Sequence, residues 1–177
     1  MRIISGKYKS RRFFAPNNLP VRPTTDMAKE ALFNILNNHY YFEQISVLDL
    51  FAGIGSISFE FASRGTLNIT SVDQNQGCVK FIDKISEELN FGLQVIISDV
   101  YTFLEKTNQK FDVIFADPPY EFTDDQFQKI IDLVFEKNLL NEDGMLIVEH
   151  SKKTDLSDNS RFQRSKKYGG NMFSFFE

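Results

Sequence analysis

The sequence predicts an α/β domain built on a mostly parallel sheet with helices on both faces, and three observations predict it. Five apolar, β-branched runs, ISVLDLF (45–51), NITSVD (68–73), LQVIIS (93–98), FDVIFAD (111–117) and GMLIVEH (144–150), are long enough for strands and too short for helices. Segments readable as helices separate them, and strands apolar on both faces that alternate with helices form a parallel sheet covered on two sides. The first run passes into LDLFAGIGS (48–56), which places Gly53 and Gly55 where a strand hands over to its helix.

Taken in order, MRIIS and RRFFA read as two short strands around a Gly-Lys turn, a hairpin extension over residues 1–21 that precedes a main domain over 22–177. PNNLP reads as a loop. In RPTTDMAKEALFNIL, Thr24 or Thr25 can cap a helix whose Ala28, Ala31, Leu32, Ile35 and Leu36 recur at helical spacing, with an end near Asn37 or Asn38. Further helices are expected over 56–65, 76–90, 100–107 and 124–138. Beyond residue 150 the character changes, and RFQRSKKYGGNMFSFF reads as two strands around a Tyr-Gly-Gly turn. His39 and His150 read as surface or strand-end residues. Cys78, beside Val79 and Phe81 in a helical pattern, reads as buried packing.

A chain of 177 residues fits one domain, and 42% apolar with 25% charged residues is ordinary globular composition. Nineteen phenylalanines without a tryptophan read as core filling. One cysteine excludes an intramolecular disulfide and a cysteine metal cluster, so no metal is expected. The basic start lacks an apolar core and no run of 18 apolar residues occurs, which predicts a soluble cytoplasmic protein with no membrane partner; a monomer is expected. The net charge of −4 hides a segregation: residues 1–25 carry six basic residues and no acid, residues 150–177 carry six basic residues against three acids, and the middle is strongly acidic. Basic ends on an acidic body suggest an anionic partner held by the ends, against the plainer reading of solvated faces.

The turn at Gly53 and Gly55 lets a ligand approach backbone amides at the positive end of a helix. Asp73 ends the second strand 20 residues after Gly53, the place from which a carboxylate accepts hydrogen bonds from ribose hydroxyls. Asp99, after the third strand, can take an adenine amino hydrogen bond from the same sheet edge. The third position of GIGSIS is Ser58 where a dinucleotide fingerprint has glycine, and no Gly-Lys-Thr phosphate loop occurs. Asp49 would repel a phosphate and suits a cationic amino group, so the set suits S-adenosyl-L-methionine. Phe51 and Thr25, the latter at the head of the helix entering before the first strand, complete the expected cofactor-binding residues.

LDLFAGIGS, VDQN and ADPPY in this order resemble the class I S-adenosylmethionine-dependent methyltransferases, and DPPY is similar to the signature of those that methylate amino nitrogens. An exocyclic amino group is a poor nucleophile because its lone pair is delocalised into the ring. If Asp117 and the Pro118 carbonyl accept its two hydrogens, the nitrogen can turn its lone pair toward the methyl group, with Asp117 an acceptor first and a base second. Pro118 and Pro119 fix the loop, and Tyr120 would stack on a flipped or unpaired base. The plainer alternative is an Asp-Pro-Pro turn that only stops a strand.

MRIISGKYKSRR with VRPTTDMAKEALFNIL at one end and KKYGGNMFSFF at the other resemble the bacterial RsmD family. That resemblance implies a seven-stranded Rossmann-like sheet with a small amino-terminal β-hairpin, and methylation of the 2-amino group of one guanine in 16S rRNA, with the small ribosomal subunit as partner. It assigns RNA contacts to Arg2, Lys7, Lys9, Arg11, Arg12 and Arg22, with Lys166, Lys167 and Tyr168 on the far rim. Two departures bear on those contacts: Met27 and Ala28 are neutral where family members carry basic residues, and YGGN replaces a more usual Tyr-Gly-x-Thr. Competing readings are a DNA adenine or cytosine amino methyltransferase, for which the chain leaves little room for a target-recognition domain, and a non-catalytic RNA-binding or assembly protein. A nicotinamide oxidoreductase is separated by cofactor binding. Glu149 ends the fifth strand near the site edge with its role open.

Overall fold

A computed structural model describes residues 1–21 and 24–177. Five helices, α1 (Asp26–Leu36), α2 (Ser56–Ser63), α3 (Gln76–Leu89), α4 (Val100–Lys106) and α5 (Asp124–Glu136), alternate with the parallel strands β1 (Ser46–Leu50), β2 (Asn68–Asp73), β3 (Gln94–Ile97), β4 (Phe111–Ala116) and β5 (Leu140–Ser151). Two antiparallel strands, β6 (Phe162–Tyr168) and β7 (Asn171–Phe176), complete a seven-stranded sheet of order β3-β2-β1-β4-β5-β7-β6. The order reverses between β1 and β4, and a crevice opens there beyond the carboxyl ends of the strands.

Side chains alternate across the sheet as the pleat demands. Val47, Ile69, Val113, Phe115, Ile147 and Phe173 pack on one face with α1 and α2, while Leu48, Leu50, Val72, Ile114, Leu146 and Val148 pack on the other with α4 and α5. Phenylalanine fills both layers. Phe33, Phe42 and Phe61 meet edge-on or tilted at centroid distances of 4.6–5.8 Å, geometry worth about 0.5–1.5 kcal/mol per pair beyond area burial. The Arg64 guanidinium covers Phe33 at 4.6 Å.

The helix starts follow local chemistry. Thr25, not Thr24, caps α1 by accepting from the Ala28 amide, Asn75 caps α3 through the Gly77 and Cys78 amides, and Thr123 with Gln126 forms a reciprocal capping box on α5. The buried face of α1 is Ala28, Lys29, Leu32, Phe33 and Leu36, so Ala31 and Ile35 lie at its margin.

Four sequence expectations change. The amino-terminal hairpin is shorter than read: residues 1–3 and 11–13 pair antiparallel through the Arg2–Arg12 bridge, the Ile3 amide donating to the Arg11 carbonyl and the Phe13 amide to the Met1 carbonyl, whereas the amides of Ile4 and Ser5 bind the Glu60 carboxylate and that of Lys7 binds the Ser63 carbonyl. The segment thereby packs Ile3 and Phe13 against Phe59, Ile82 and Leu89 of α2 and α3. β3, an edge strand, is half exposed where two buried faces were expected. β5 begins four residues early, at Leu140, with an irregular register against β4 that carries the polar residues 141–143. His150 is buried, its ring nitrogens bonded to the Ser174 hydroxyl and Ser151 carbonyl, so it is a satisfied core histidine; His39 is exposed. Cys78 is buried in α3 as read.

Candidate active site

The carboxyl ends of β1, β2, β4 and β5 converge on one cavity of about 850 Å³, within the usual span of small-molecule sites. Asp49, Phe51, Gly53, Asp73, Asp99, Thr25, Asp117, Pro118, Pro119, Tyr120 and Tyr168 all line it. Among the described lining residues there are six carboxyl side chains, Asp49, Asp73, Asp99, Asp117, Glu121 and Glu149, and no lysine, arginine or histidine. Such a wall repels phosphate and attracts a cation.

At one end the two strand-to-helix turns are tied together. Asp73 accepts from the Gly53 amide through Oδ2 and from the Asn75 amide through Oδ1, both at 2.8 Å. Each oxygen keeps lone-pair capacity for a further donor. Gly53 takes φ +55° and Gly55 takes φ +81°, a region open chiefly to glycine. Gly55 does not line the cavity: as the N-cap of α2 it lies under Phe59 and Ile82, whose atoms would come within 3.0–3.1 Å of an added Cβ. Phe51, at φ +59°, lines the cavity and meets Phe122 edge-on at 5.6 Å. Asp99 caps α4 by accepting from the Thr102 amide through Oδ1 and lines the cavity.

Ser58 explains its place where a dinucleotide fingerprint has glycine. Its amide and hydroxyl both donate to Asp49 Oδ2, at 3.1 and 2.5 Å, and its hydroxyl also bonds Ser71. Asp49 is buried, and desolvation pushes its carboxyl up to about 7, with the nearby Asp73 charge adding to the rise and the Ser58 bonds opposing it.

At the other end, Asp117 follows β4 and is half-buried, its amide 3.4 Å from the Leu50 carbonyl. Burial, then the Glu149 and Asp49 charges, raise its carboxyl well above the usual carboxylate range. Pro118 is buried, Pro119 exposed, and Tyr120 stands half-exposed at the mouth with its hydroxyl donating to Asn171 Oδ1 at 3.3 Å.

Three lining residues take parts that the sequence left open or did not assign: Glu149, Thr24 and Asn171. Glu149 is only 2% exposed and accepts from the Thr24 hydroxyl and the Asn171 side-chain amide. Burial holds its carboxyl up to about 7, against those two bonds. A lone acid inside LIVEH was a visible signal, since a buried strand has no structural need for it; Thr24 was read only as a cap candidate on the cofactor side, and Asn171 carried no signal.

The described basic residues lie outside the cavity. Arg2 pairs with Asp26 at 2.9 Å, Arg11 with Glu88 at 2.5 Å, and Lys7 lies over the Tyr8 ring. Lys9, Arg12, Lys166 and Lys167 are exposed, the last two on the outer strand β6 next to Tyr168. Arg22 lies outside the described residues.

The family model described as conserved hypothetical protein 95 matches residues 1–177. A protein of Buchnera aphidicola, the ribosomal RNA small subunit methyltransferase D, is 33% identical over 84% of this chain and 75% of its own. The protein of the same name from Haemophilus influenzae is 33% identical over 88% of this chain and 81% of its own. Among solved structures, a hypothetical protein of Thermus thermophilus superposes with a TM-score of 0.86 at 24% identity, covering 100% of this chain and 99% of that one, and shares the fold.

Proposed function

The chain belongs to the family described as conserved hypothetical protein 95, the RsmD family, and from that premise we propose that it transfers a methyl group from S-adenosyl-L-methionine to the 2-amino group of a guanine in small-subunit (16S) rRNA. The observation that carries the reading is the Asp117–Pro118 pair at the switch point of the sheet, facing a cavity lined by carboxylates and, among the described residues, by no basic side chain. A pyrophosphate cofactor is disfavoured by the same charge.

The residues present fit a cationic adenosine ligand. Asp49 would hold the ammonium, Asp73 the ribose hydroxyls through its remaining lone pairs, and Asp99 the adenine amino group, with Phe51 and Thr25 along the walls. Gly53 leaves room for close approach at the amino end of α2. S-Adenosyl-L-methionine supplies an electrophilic methyl group on a sulfonium.

The chain's own work is at the acceptor. Asp117 and the Pro118 carbonyl accept the two amino hydrogens, so the nitrogen lone pair leaves the ring system and aims at the methyl carbon. As the N–C bond forms and the S–C bond breaks, the nitrogen gains positive charge beside the Asp117 carboxylate, which stabilises it and then takes the surplus proton. A carboxyl raised by burial and by Glu149 is a stronger base for that step than an ordinary aspartate. Tyr120, at the mouth, offers a ring for stacking, and such a pocket admits a base only when it is out of a helix. Lys9, Arg11, Arg12, Lys166 and Lys167 supply phosphate contacts outside the cavity.

The test offers methyl-labelled S-adenosylmethionine with unmodified small subunits, protein-free 16S rRNA, large-subunit rRNA and duplex DNA, followed by digestion to nucleosides. Label in 2-methylguanosine from small-subunit material alone is expected. Label in methyladenine or methylcytosine from DNA would move the same chemistry to another substrate, and no label despite cofactor binding would favour a non-catalytic role.

A further inference from the structure

Glu149 touches neither the methyl group nor the amino nitrogen in that reaction, yet with Asp49 it is the most deeply buried carboxyl among the described lining residues. It is 2% exposed, and among the described residues no lysine or arginine pairs with it. A buried carboxylate held only by neutral donors costs several kcal/mol unless a further donor satisfies it. The sheet puts it beside Asp117. Ala116 of β4 pairs with Val148 of β5, so Asp117 and Glu149 are the next residues along neighbouring parallel strands, and both carboxyls face the cavity.

The Glu149 carboxylate is also oriented from two sides. Thr24, before α1, donates to Oε2 at 3.2 Å, and Asn171, at the start of β7, donates to Oε1. Asn171 reaches it because Phe173 is the cross-strand partner of Glu149 and Asn171, two residues away, shares that face. Asn171 Oδ1 in turn accepts from Tyr120. The chain Thr24–Glu149–Asn171–Tyr120 therefore crosses the mouth of the base end.

Two adjacent carboxylates match two adjacent donors. Of the three amino-bearing bases, only guanine has a ring N–H next to the carbon that carries the amino group; adenine and cytosine present a ring lone pair there. A carboxylate facing that lone pair is repelled, and one facing N1–H forms a charge-assisted hydrogen bond.

We propose that Glu149 is the residue that selects guanine: fixed by Thr24 and Asn171, its carboxylate accepts the ring N1–H while Asp117 and the Pro118 carbonyl hold the neighbouring 2-amino group. This deepens the reading of the same site and rests on it. Selection arises from one attractive contact and, for the wrong bases, one unpaired buried charge.

The experiment pairs a protein change with an atom change in the substrate. Once the methylated guanine is mapped with the wild type, small subunits are reconstituted with rRNA carrying either guanine or 2-aminopurine there; the latter keeps the 2-amino group but has a lone pair at N1. At about pH 8.5, above the value of about 7 to which burial holds Glu149, its carboxylate is ionised, and wild-type kcat/KM should favour guanine by about tenfold to a hundredfold, the range for one buried hydrogen bond to a charged group. In Glu149→Ala the preference should fall to within about threefold, and in Glu149→Gln, which keeps a neutral acceptor, to an intermediate value. The ratio is internal to each variant, so general damage to the fold cancels, and S-adenosylmethionine affinity within a few-fold of wild type confirms the site is intact. An undiminished preference in Glu149→Ala would overturn the inference while leaving guanine methylation standing. A wild type that makes no 2-methylguanosine would overturn the underlying reading and this inference with it.

Discussion

The two ends of the cavity are built in different ways. At the cofactor end the bonds are local: Ser58 to Asp49 spans nine residues, Asn75 to Asp73 two, Thr102 to Asp99 three, and the longest, Gly53 to Asp73, twenty. At the base end, Thr24 meets Glu149 across 125 residues and Tyr120 meets Asn171 across 51. The first end needs only three consecutive strand-to-helix turns, after β1, β2 and β3, to be in place. The second exists only when the antiparallel β7 has closed on β5 and the segment before α1 has docked. A difference of this kind predicts that substitutions at one end should spare the function of the other.

The largest effect tests that separation directly. Asp117→Ala removes the acceptor and base while leaving the turns of Gly53 and Asp73 untouched, so methyl transfer should fall by at least about 10²–10⁴-fold, with cofactor affinity changed no more than a few-fold. Single-turnover kinetics beside calorimetric binding of S-adenosylmethionine separate the two. Normal turnover would mean that Asp117 does not activate the amino group.

Gly55→Ala works at the opposite end. At φ +81° and under Phe59 and Ile82, an added methyl should cost about 1–3 kcal/mol of stability. Gly53→Ala, where the nearest foreign atom would be Val21 Cγ1 at 3.5 Å, should cost nearer about 1 kcal/mol yet weaken cofactor binding more for each unit of stability lost, because Gly53 lines the cavity and Gly55 does not. Urea unfolding of both variants, read against their cofactor affinities, checks the order. The reverse order would place the ligand's approach at Gly55.

A smaller effect, of about fivefold to tenfold, comes from pH. Asp49 holds its proton up to about 7 in the folded chain, so the carboxylate that suits an ammonium group is scarce near pH 6 and abundant by about pH 7.5. S-Adenosylmethionine affinity should rise over that window, and Asn in place of Asp49 should flatten the rise. Stability of the ligand-free chain runs the other way. A carboxyl whose folded pKa is raised keeps a proton that the unfolded chain has lost, so stability is greatest below about pH 4 for this group and declines as pH rises toward 7. Glu149, also held up to about 7, contributes in the same direction.

The same contrast decides how much of the molecule was legible in its sequence. The alternating strands and helices, the glycine turn, Asp73 and the Asp-Pro-Pro-Tyr loop were readable because each is written in a stretch of contiguous residues with its own period or turn chemistry. The hairpin is shorter than read because strand propensity says nothing of a distant acceptor, and Glu60 on α2 took the Ile4 and Ser5 amides that a longer pairing would have used. Lys29, 1% exposed yet inside a segment readable as an amphipathic helix, is buried for the same reason: Glu60 at 3.7 Å and the Arg2 carbonyl at 2.6 Å receive it. Glu149 and Asn171 meet only through the pairing of β5 with β7, and Thr24 reaches them only when the segment before α1 has docked.

The smallest effect concerns the basic ends, which belong to neither end of the cavity. Arg11 is paired with Glu88 and packed on Phe13, whereas Arg12 is exposed on the other side of the Arg2–Arg12 bridge. If the amino-terminal segment tracks the RNA backbone, each phosphate that is no longer neutralised should reduce the log–log salt slope of binding by about 0.7–0.9. Arg12→Ala should therefore lower the slope by about that amount, and Arg11→Ala by less, since Arg11 must first give up a carboxylate that already neutralises it. Methyl transfer at saturating RNA should be unchanged in both, because neither residue lines the cavity. Equal slopes for wild type and Arg12→Ala would take the segment off the interface and leave the β6 lysines, Lys166 and Lys167, as the basic surface to test next.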